Sequence, residues 1–458
     1  MRASGFYPSP DGLRGWHRRL SLGVATLATV AVASAAAPGP PATPHGQLVS
    51  ASPFVTANGT SLALNGRPWT FTGYNAYQLP SVAGGYQCGG TVSDAALGAI
   101  LDQMKQKSSS AVVRTWFFQS YGGPGNWSQF DRVLNAAAAR GIKVIPTLAN
   151  QWGDCEASGV YKGRSWYEAG YRGTGDGYAL SYRDYAVAVA THYANNPTIA
   201  FWQLMNEAEA SDWRGGPCDN IAGGNALRSF ADDVSGAVRA VDANHLIDLG
   251  TMGGGQCGTQ GSEFQNIHAG PNIGLCEIHD YWVGALGGNQ WNGAVSSINF
   301  CHALNKPIFD GEAGIDASVQ PDWSVNGVVT STTLQQRAAF FKQKMDAQFQ
   351  LGLVGFVIWS KTLGASAGWD VGPGDPTEGL MAAEQFQRNH TVVTDTQPNL
   401  HLTALPPATA TTAPAVASAH AVVPPAVGPG TASPRSPVRV SAPPALARGL
   451  GGSRFRTF

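Results

Sequence analysis

The sequence carries little charge. Only 13% of its 458 residues are Asp, Glu, Lys or Arg, and the formal net charge at pH 7 is −1. A protein that binds nucleic acid presents a basic surface, and this chain has no basic excess from which to build one. We therefore expect no nucleic-acid partner. The chain instead has 57 glycines and 13 tryptophans, which favours a loop-rich, aromatic surface suited to sugars over ionic substrates.

The sequence also lacks CxxC pairs and any cysteine spacing typical of a zinc site. Its cysteines are Cys88, Cys155, Cys218, Cys257, Cys276 and Cys301. An even count in an exported chain predicts disulfides. The pairing stays open, because six cysteines allow 15 combinations. Most of them lie in glycine-rich stretches, so we expect the bridges to join long loops.

The N-terminal apolar run, Leu20–Val32, is shorter than the ~20 residues that a membrane span needs. It follows a basic segment containing Arg14, Arg18 and Arg19, and precedes the A-x-A pattern Ala33–Ala35. This order is typical of a secretory signal peptide over residues 1–35, the alternative being a membrane anchor. We predict a secreted, extracellular protein with no membrane attachment after cleavage. Residues 36–53, rich in Pro, Ala and small polar residues, are predicted to be a linker.

Residues 401–458 lack the apolar content that a core requires. They are an aperiodic Ala/Pro/Thr-rich stretch with five arginines and no acid, and we predict a disordered tail. The basic tail is interpreted as a solvated extension or as a contact for anionic cell-wall polymers. One globular domain over residues 54–400 remains, a length ordinary for an α/β barrel.

Within that domain, apolar strand patterns alternate with helical ones. Strands are predicted at 68–77, 111–118, 143–152, 199–204, 245–250, 274–282, 306–314 and 354–360, and helices at 93–107, 127–140, 182–193, 226–242 and 333–351. Residues 251–274 are predicted to be a loop. Segments 56–64 and 67–72 predict a hairpin around the Asn65–Gly66 turn. The alternation predicts a (β/α)8 TIM barrel with long βα loops and a short N-terminal β-hairpin.

Two of the predicted strands end in a carboxylate. Ile199–Leu204 leads into Asn206 and Glu207, and the strand at 306–314 carries Glu312. The carboxyl ends of barrel strands are where catalytic groups lie, so both acids belong to one rim. Paired carboxyls among aromatic loops suit glycoside hydrolysis. The alternative is two unrelated, salt-bridged acids.

Short segments across the chain occur in the order of a known family. They are GYNAY (73–77), VVRTWFF (112–118), LANQW (148–152), WQLMNE (202–207), HDYW (279–282), FDGEAG (309–314) and FVIWS (356–360). The chain resembles the retaining glycoside hydrolases of clan A, most closely family 5 and its β-mannanases. The resemblance implies Glu207 as acid/base and Glu312 as nucleophile, with no cofactor and no metal. Glu209 is a second candidate for the acid/base.

The resemblance also implies a set of substrate-binding residues. Arg114 would hydrogen-bond Glu312, Asn206 the sugar 2-hydroxyl, and His279 and Tyr281 the sugar and nucleophile, while Trp359 would floor the reacting subsite. Asn75, Trp152 and Trp369 are placed at the same rim by their strands and loops. Structural alternatives are an ion pair for Arg114, and packing for His279 and Trp359. An aromatic often follows the nucleophile in the family, and Ala313 departs from that pattern.

For several neighbouring side chains, the sequence predicts a position or a degree of burial but no catalytic role. Asp310 is placed on the same strand face as Glu312 by the period of two. Trp166 and Tyr167 either wall a cleft or pack a loop. Asp370, Asp375 and Glu378 are expected to be solvated loop acids, the alternative being a calcium site.

The predicted chemistry assigns different charges to the two glutamates. Arg114 and Tyr281 are expected to keep Glu312 ionised, while an apolar setting raises the pKa of Glu207. The predicted activity is that of an endo-β-1,4-mannanase acting as a monomer on a β-linked polysaccharide or oligosaccharide. The alternatives are another family 5-like β-glycanase such as a cellulase, an exo-β-mannosidase or glucosidase, and a non-catalytic carbohydrate-binding barrel.

Overall fold

A computed structural model describes residues 52–281, 286–287, 293–317 and 333–390. The strands are β1 Thr56–Asn58, β2 Ser61–Leu64, β3 Arg67–Trp69, β4 Phe71–Asn75, β5 Val112–Trp116, β6 Lys143–Thr147, β7 Phe201–Gln203, β8 Leu246–Asp248, β9 Cys276–Asp280, β10 Ile308–Ala313 and β11 Gly355–Ile358. The helices are α1 Asp94–Lys107, α2 Ser128–Ala138, α3 Arg164–Glu168, α4 Tyr182–Tyr193, α5 Asn220–Val241, α6 Ser262–His268, α7 Ala294–Ala303, α8 Leu334–Gln350 and α9 Pro376–His390. The predicted signal peptide and tail, most of the linker, and Trp282 lie outside the described residues.

Eight of these strands form one parallel sheet in the order β8-β7-β6-β5-β4-β11-β10-β9. The order follows the chain, and a parallel bridge between Asp248 and Leu275 joins the two end strands. Helices separate successive strands, as right-handed βα units require. The predicted TIM barrel is therefore confirmed, with a strand in each of the eight predicted segments.

The opening of the barrel at the strand N-termini is closed by apolar side chains. Phe71, Phe201 and Phe309 pack together there, and Leu62 of β2 joins the same cluster. The N-terminal segment forms a three-stranded antiparallel sheet, β1-β2-β3, where a single hairpin was predicted. The first predicted arm is broken at Gly59, whose φ of 59° makes a tight turn between β1 and β2.

Helix α5 begins six residues before the predicted start. Asp219 caps it by accepting a hydrogen bond from the backbone N–H of Ala222. The first turns contain Gly223 and Gly224, and because glycine is a poor helix former, the sequence did not predict a helix there. A Cβ at Gly224 would lie 2.2 Å from the carboxylate of Glu263 on α6, so tertiary packing explains this glycine. Helix α6 itself lies in the stretch predicted to be a loop, and α7 and α9 were also missed.

The disulfides predicted from the cysteine count are confirmed, and all six cysteines are paired. The bridges are Cys88–Cys155, Cys218–Cys257 and Cys276–Cys301. The first two join βα loops, as expected: Cys88–Cys155 connects the loops after β4 and β6, and Cys218–Cys257 connects the loops after β7 and β8. The third instead ties the start of β9 to α7.

Strand β10 has an irregularity that reverses one prediction. Its register shifts between Asp310 and Glu312, with Gly311 as the extra residue. Asp310 accepts a hydrogen bond from Gln348 of α8, so it faces the helix layer while Glu312 faces the barrel interior. The shared face predicted for the two acids is wrong, because a bulge breaks the period of two.

Two of the three acids that follow β11 are buried, contrary to the expectation that all three are solvated. Asp375 and Glu378 are 3% and 5% exposed. Arg337 pairs with Asp375 at 2.5 Å, and Lys361 pairs with Glu378 at 2.6 Å. Asp370 accepts a hydrogen bond from Ser360. These ion pairs fasten the last βα loop to the barrel.

No helix of the described part of the chain combines the length and the apolarity that a membrane crossing requires.

Candidate active site

Glu207 follows β7 and Glu312 ends β10, and the two carboxyls meet at the C-terminal rim of the barrel. One carboxylate oxygen of each, with a ring nitrogen of His279, lie within 4.8 Å of one another. Retaining glycosidases hold their two carboxyls about 5–5.5 Å apart, whereas inverting enzymes need about 6.5–9.5 Å to admit a water. The spacing therefore matches the retaining geometry.

Arg114 on β5 lies in the barrel interior and donates hydrogen bonds to several of the predicted site residues. Its guanidinium is fully buried and donates to Glu312 Oε1 at 2.5 Å. It also donates to the amide oxygens of Asn75, Asn206 and Gln203 at 2.9, 2.6 and 2.7 Å. A buried charge needs such complete pairing. The predicted contact between Arg114 and Glu312 is present.

Asn75 and Asn206 take different positions around this guanidinium. Asn75 is fully buried, and its amide nitrogen donates to the carbonyl of Gly311 at 2.9 Å. Both ends of that amide are used inside the protein, which favours support of Arg114 over contact with substrate. Asn206 is 6% exposed and donates to Asn150 Oδ1 at 3.1 Å, which leaves its second amide hydrogen for a ligand.

Glu207 is held by His279 of β9 and by Trp152 of the loop after β6. Its Oε1 lies 2.9 Å from Nδ1 of His279, and Trp152 donates its indole N–H to Oε2. The residue has a φ of 57°, a left-handed conformation that costs free energy in a residue with a Cβ. Its side chain is 15% exposed, so a substrate can reach the carboxyl.

Glu312 is more enclosed, at 3% exposure. Tyr281 donates its hydroxyl to Oε2 at 2.7 Å. The Tyr281 ring packs edge-on against Trp369 at 5.2 Å between centroids, and it lies against Gly314, where a Cβ would approach it to 2.2 Å. The structure thus brings Tyr281 and Trp369 to the predicted rim.

Trp359 follows β11 and is only partly buried, so one face is open at the rim. It stacks on Tyr77 with centroids 5.2 Å apart and an interplanar angle of 7°, and Trp116 lies 6.0 Å away. An aromatic group supported in this way is a suitable floor for a sugar ring. Trp359 therefore packs against neighbouring aromatic side chains and also offers a platform for a sugar ring.

The chain is similar to a known protein family. The profile described as Cellulase (glycosyl hydrolase family 5) matches residues 75–348, more than half of the chain. The chain belongs to glycosyl hydrolase family 5.

Curated relatives of this family 5 protein are named as mannanases. Mannan endo-1,4-beta-mannosidase F of Aspergillus fumigatus is 27% identical over 58% of this chain and 64% of that protein. Mannan endo-1,4-beta-mannosidase 1 of Oryza sativa is 29% identical over 44% of this chain and 49% of that protein. The chain thus spans 49% to 64% of the length of these relatives.

Solved structures confirm the fold of the family 5 chain. The endo-1,4-beta-mannanase from Rhizomucor miehei superposes with a TM-score of 0.53 at 21% identity, covering 72% of this chain and 98% of that one. The endo-1,4-beta-D-mannanase from Thermotoga petrophila gives a TM-score of 0.52 at 18% identity, covering 69% and 99%.

The pKa of each glutamate shifts opposite to the sequence-based expectation. Burial acts to raise the pKa of Glu207, but the hydrogen bonds from His279 and Trp152 outweigh it, and the pKa lies below its ordinary value. Burial raises the pKa of Glu312 above its ordinary value, and the charges of His279 and Arg114 offset only part of that effect.

His279 lowers the pKa of Glu207 through a hydrogen bond and its positive charge, and the sequence did not indicate that charge. Burial acts to lower its pKa, but the carboxylates of Glu312, Glu277 and Glu207 outweigh burial and raise the pKa to about 10. His279 is therefore an imidazolium at neutral pH. Its positive charge lies directly against Glu207, which lowers the pKa of that glutamate.

Glu277 and Asp248 are two interior acids that the sequence analysis did not single out. Glu277 is fully buried, with Oε1 3.3 Å from His279 Nε2. Asp248, also fully buried, accepts a hydrogen bond from Gln203 at 3.0 Å. The period of two in β9 puts Glu277 on the face of His279, and that signal was available in the sequence.

The remaining candidates are resolved by their contacts. Glu209 is 8% exposed and accepts a hydrogen bond from Tyr161, so its carboxyl belongs to the loop and is not in the Glu207–Glu312 pair. Trp166 and Tyr167 pack against Phe230 of α5 at 5.6 and 5.0 Å. Trp166 also lines an open groove together with Tyr161 and Trp213, so it both packs the loop and walls a cleft.

Glu207, His279 and Glu312 are also a ligand set that could hold a metal ion. Glu312, however, already accepts hydrogen bonds from Arg114 and Tyr281 on its two oxygens. The guanidinium and the imidazolium also supply the positive charge that a metal would bring. This arrangement favours two reacting carboxyls, and a site without metal stays a prediction.

Proposed function

We propose that this family 5 protein is a secreted, retaining endo-β-1,4-mannanase. The observation that carries the retaining assignment is the approach of the Glu207 and Glu312 carboxyl oxygens to within 4.8 Å. The mannan assignment is supported by the names of the curated relatives. Export is supported by the N-terminal A-x-A pattern and by three disulfides.

In the first step, Glu312 attacks the anomeric carbon as the bond to the leaving oxygen breaks. A carboxylate oxygen forms the new ester bond, and the leaving oxygen takes a proton from Glu207. In the second step Glu207 accepts a proton from water, and the resulting hydroxide oxygen displaces Glu312 from the sugar. Two inversions retain the anomeric configuration. Asn206 would bind the 2-hydroxyl through its free amide hydrogen.

The acid must hold a proton, although the hydrogen bonds from His279 and Trp152 lower the pKa of Glu207. We assign the proton to the Glu207–His279 pair as a unit, because a 2.9 Å hydrogen bond joins them. When the leaving oxygen develops negative charge, the proton moves from His279 Nδ1 to Glu207 and on to that oxygen. The pKa of the pair, not of either residue, then sets the alkaline limit of activity.

An open groove next to the acid/base supports action on a polymer. It encloses about 590 Å³ and is lined by residues that include Tyr161, Trp213 and Arg214. Arg214 lies over the ring of Trp152 at 5.3 Å, so the groove adjoins the residue that holds Glu207. Because Glu207 protonates the leaving group, the groove belongs to the leaving-group side of the cut.

The test is release of reducing ends from mannan, cellulose, xylan and mixed-linkage glucan, with Glu312→Ala as the blank. We expect release from mannan, with short oligosaccharides appearing before the monosaccharide. Preferred cleavage of cellulose would replace the mannan assignment by the cellulase alternative. Release of the monosaccharide alone would replace it by the exo-acting alternative, and no release from any glycan would favour the non-catalytic barrel. Gel filtration of the same sample tests the predicted monomer.

A further inference from the structure

Glu277 occupies a position between the two cations of the barrel interior. Its Oε1 lies 3.3 Å from Nε2 of His279 and 3.8 Å from Nε of Arg114. All three side chains are fully buried at 0% exposure. On the opposite side of the imidazole, Nδ1 faces Glu207 at 2.9 Å and Glu312 at 3.6 Å. The ring thus has a carboxylate next to each nitrogen.

The backbone makes room for this carboxylate at one point. A Cβ on Gly311 would lie 1.6 Å from Glu277 Oε1, which is shorter than any contact between non-bonded atoms. Gly311 is also the bulge residue that turns Glu312 toward His279. The same glycine therefore accommodates Glu277 and orients the predicted nucleophile.

Asp248 is a second buried acid, and its pKa depends on the charge of Glu277. Its Oδ1 and both oxygens of Glu277 receive no hydrogen bond from an N–H or O–H group of the described residues. Burial, followed by the charge of Glu277, raises the pKa of Asp248 well above its ordinary value. Asp248 is therefore the neutral acid of the two. Glu277 keeps the negative charge, because Arg114 and His279 lie against it and not against Asp248.

We propose that Glu277 is a positioning residue that keeps His279 charged, so that the His279–Glu207 pair retains its proton at neutral and mildly alkaline pH. This role rests on the proposed function, since it concerns the acid of that reaction. Glu277 touches no substrate and acts through His279. The groups facing the imidazole are Glu207 after β7, Glu277 on β9 and Glu312 on β10, with Arg114 of β5 beyond Glu277.

The sign of the effect follows from charge. A carboxylate beside Nε2 stabilises the imidazolium, so it raises the pKa at which the His279–Glu207 pair loses its proton. Glu277→Gln keeps the shape and removes the charge. The alkaline limb of kcat/KM should then move to lower pH by about one unit or more, as expected for a buried unit charge at this distance.

The substrate for this profile is a β-1,4-manno-oligosaccharide, whose poor leaving group needs the proton. The matched control is Asp248→Asn, which replaces an acid that is already neutral by an amide of the same shape. Its alkaline limb should stay within a few tenths of a pH unit of the wild type. Equal shifts in both variants, or a shift in Asp248→Asn alone, would overturn the assignment of the charge to Glu277. An unmoved limb in Glu277→Gln would reduce Glu277 to a packing residue and overturn the proposal.

A second measurement does not need catalysis. The imidazole nitrogen shifts of His279 in the wild-type protein, assigned by their absence from the His279→Asn spectrum, report its charge directly. We expect an imidazolium up to at least pH 9. A midpoint near the ordinary value of about 6.5 would overturn the proposal even if mannan is cleaved. Absence of hydrolysis with a midpoint above pH 9 would contradict the proposed function alone.

Discussion

Glu207 and Glu312 have the same side chain, so only their surroundings can give them different tasks. Glu312 accepts hydrogen bonds from Arg114 and Tyr281 on its two oxygens, which hold it in place for attack. Glu207 is more exposed, and its Oε1 lies 2.9 Å from Nδ1 of His279. These contacts support the proposed roles of Glu312 as the nucleophile and of Glu207 as the acid.

The assignment predicts different products from the two alanine variants in azide with an activated aryl β-glycoside. Glu207→Ala should still form the glycosyl-enzyme, because an activated phenol needs no proton. It should then stall until azide, which needs no base, attacks to give the β-glycosyl azide by two inversions. Glu312→Ala should give the α-azide by one inversion at the vacated position.

Product stereochemistry read by NMR decides between the two roles. Glu209→Ala is the control, because its carboxyl bonds Tyr161 in the loop, and azide should not accelerate that variant. The reverse azide configurations would exchange the roles of Glu207 and Glu312.

At the residue scale, the sequence predicted which side chains meet but not how they are charged. Strand-end positions and the period of two placed Arg114, His279, Tyr281 and the glutamates at one rim, and the resemblance to family 5 implied the contacts between them. Asp310 was misplaced because a single extra residue, Gly311, breaks that period. The pKa directions were inverted because they depend on the contacts of His279, and no local pattern carries such distances.

At the scale of the element, the loop from β7 to α5 determines what lies beside the acid. It places Trp213 at 60% exposure, a large apolar side chain left open to solvent. Arg214, next to it, lies over Trp152, and the Cys218–Cys257 bridge ties the end of the loop to its neighbour. An exposed indole on a tethered loop is suited to stacking against a sugar.

We predict that Trp213→Ala raises KM for mannan by roughly tenfold, since burying part of an indole contributes on the order of 1–2 kcal/mol. The kcat for an aryl β-glycoside that does not reach the groove should change little. Steady-state kinetics on the two substrates makes the comparison. Val241→Ala, at the opposite end of α5, is the control for loss of a partly exposed apolar side chain. An unchanged KM for mannan would contradict the proposal that the groove binds the leaving-group part of the substrate.

Elements with a simple apolar period were predictable, and elements defined by their neighbours were not. Helix α1 was found from its cap Ser93 and its buried Leu97, Ile100 and Leu101. The start of α5 was missed because Gly223 and Gly224 are poor helix formers in isolation. Their glycine identity reflects close contacts with Gly258 and Glu263, which only the folded chain creates.

At the scale of the whole molecule, the last helix is bonded to the barrel, and we predict that the segment after residue 400 does not contribute to its stability. Gln385 of α9 accepts hydrogen bonds from the backbone and the hydroxyl of Thr72 on β4, at 2.7 and 3.0 Å. Both groups are buried, so removal of α9 would leave the N–H of a barrel strand without its partner. The Ala/Pro/Thr-rich residues 401–458 have too few apolar side chains to form a core.

We therefore predict that deletion of residues 401–458 leaves the melting temperature within about two degrees and leaves mannan hydrolysis unchanged. A second truncation after Gly374, which also removes α9, is the control, and it should lower the melting temperature strongly or prevent folding, because Thr72 loses Gln385. Thermal denaturation and reducing-sugar release on both truncated proteins test the boundary. A large loss of stability on deletion of the tail alone would place the end of the domain beyond residue 400. Loss of binding to an anionic polymer at low salt, with stability and catalysis intact, would instead give the five arginines a role at a surface.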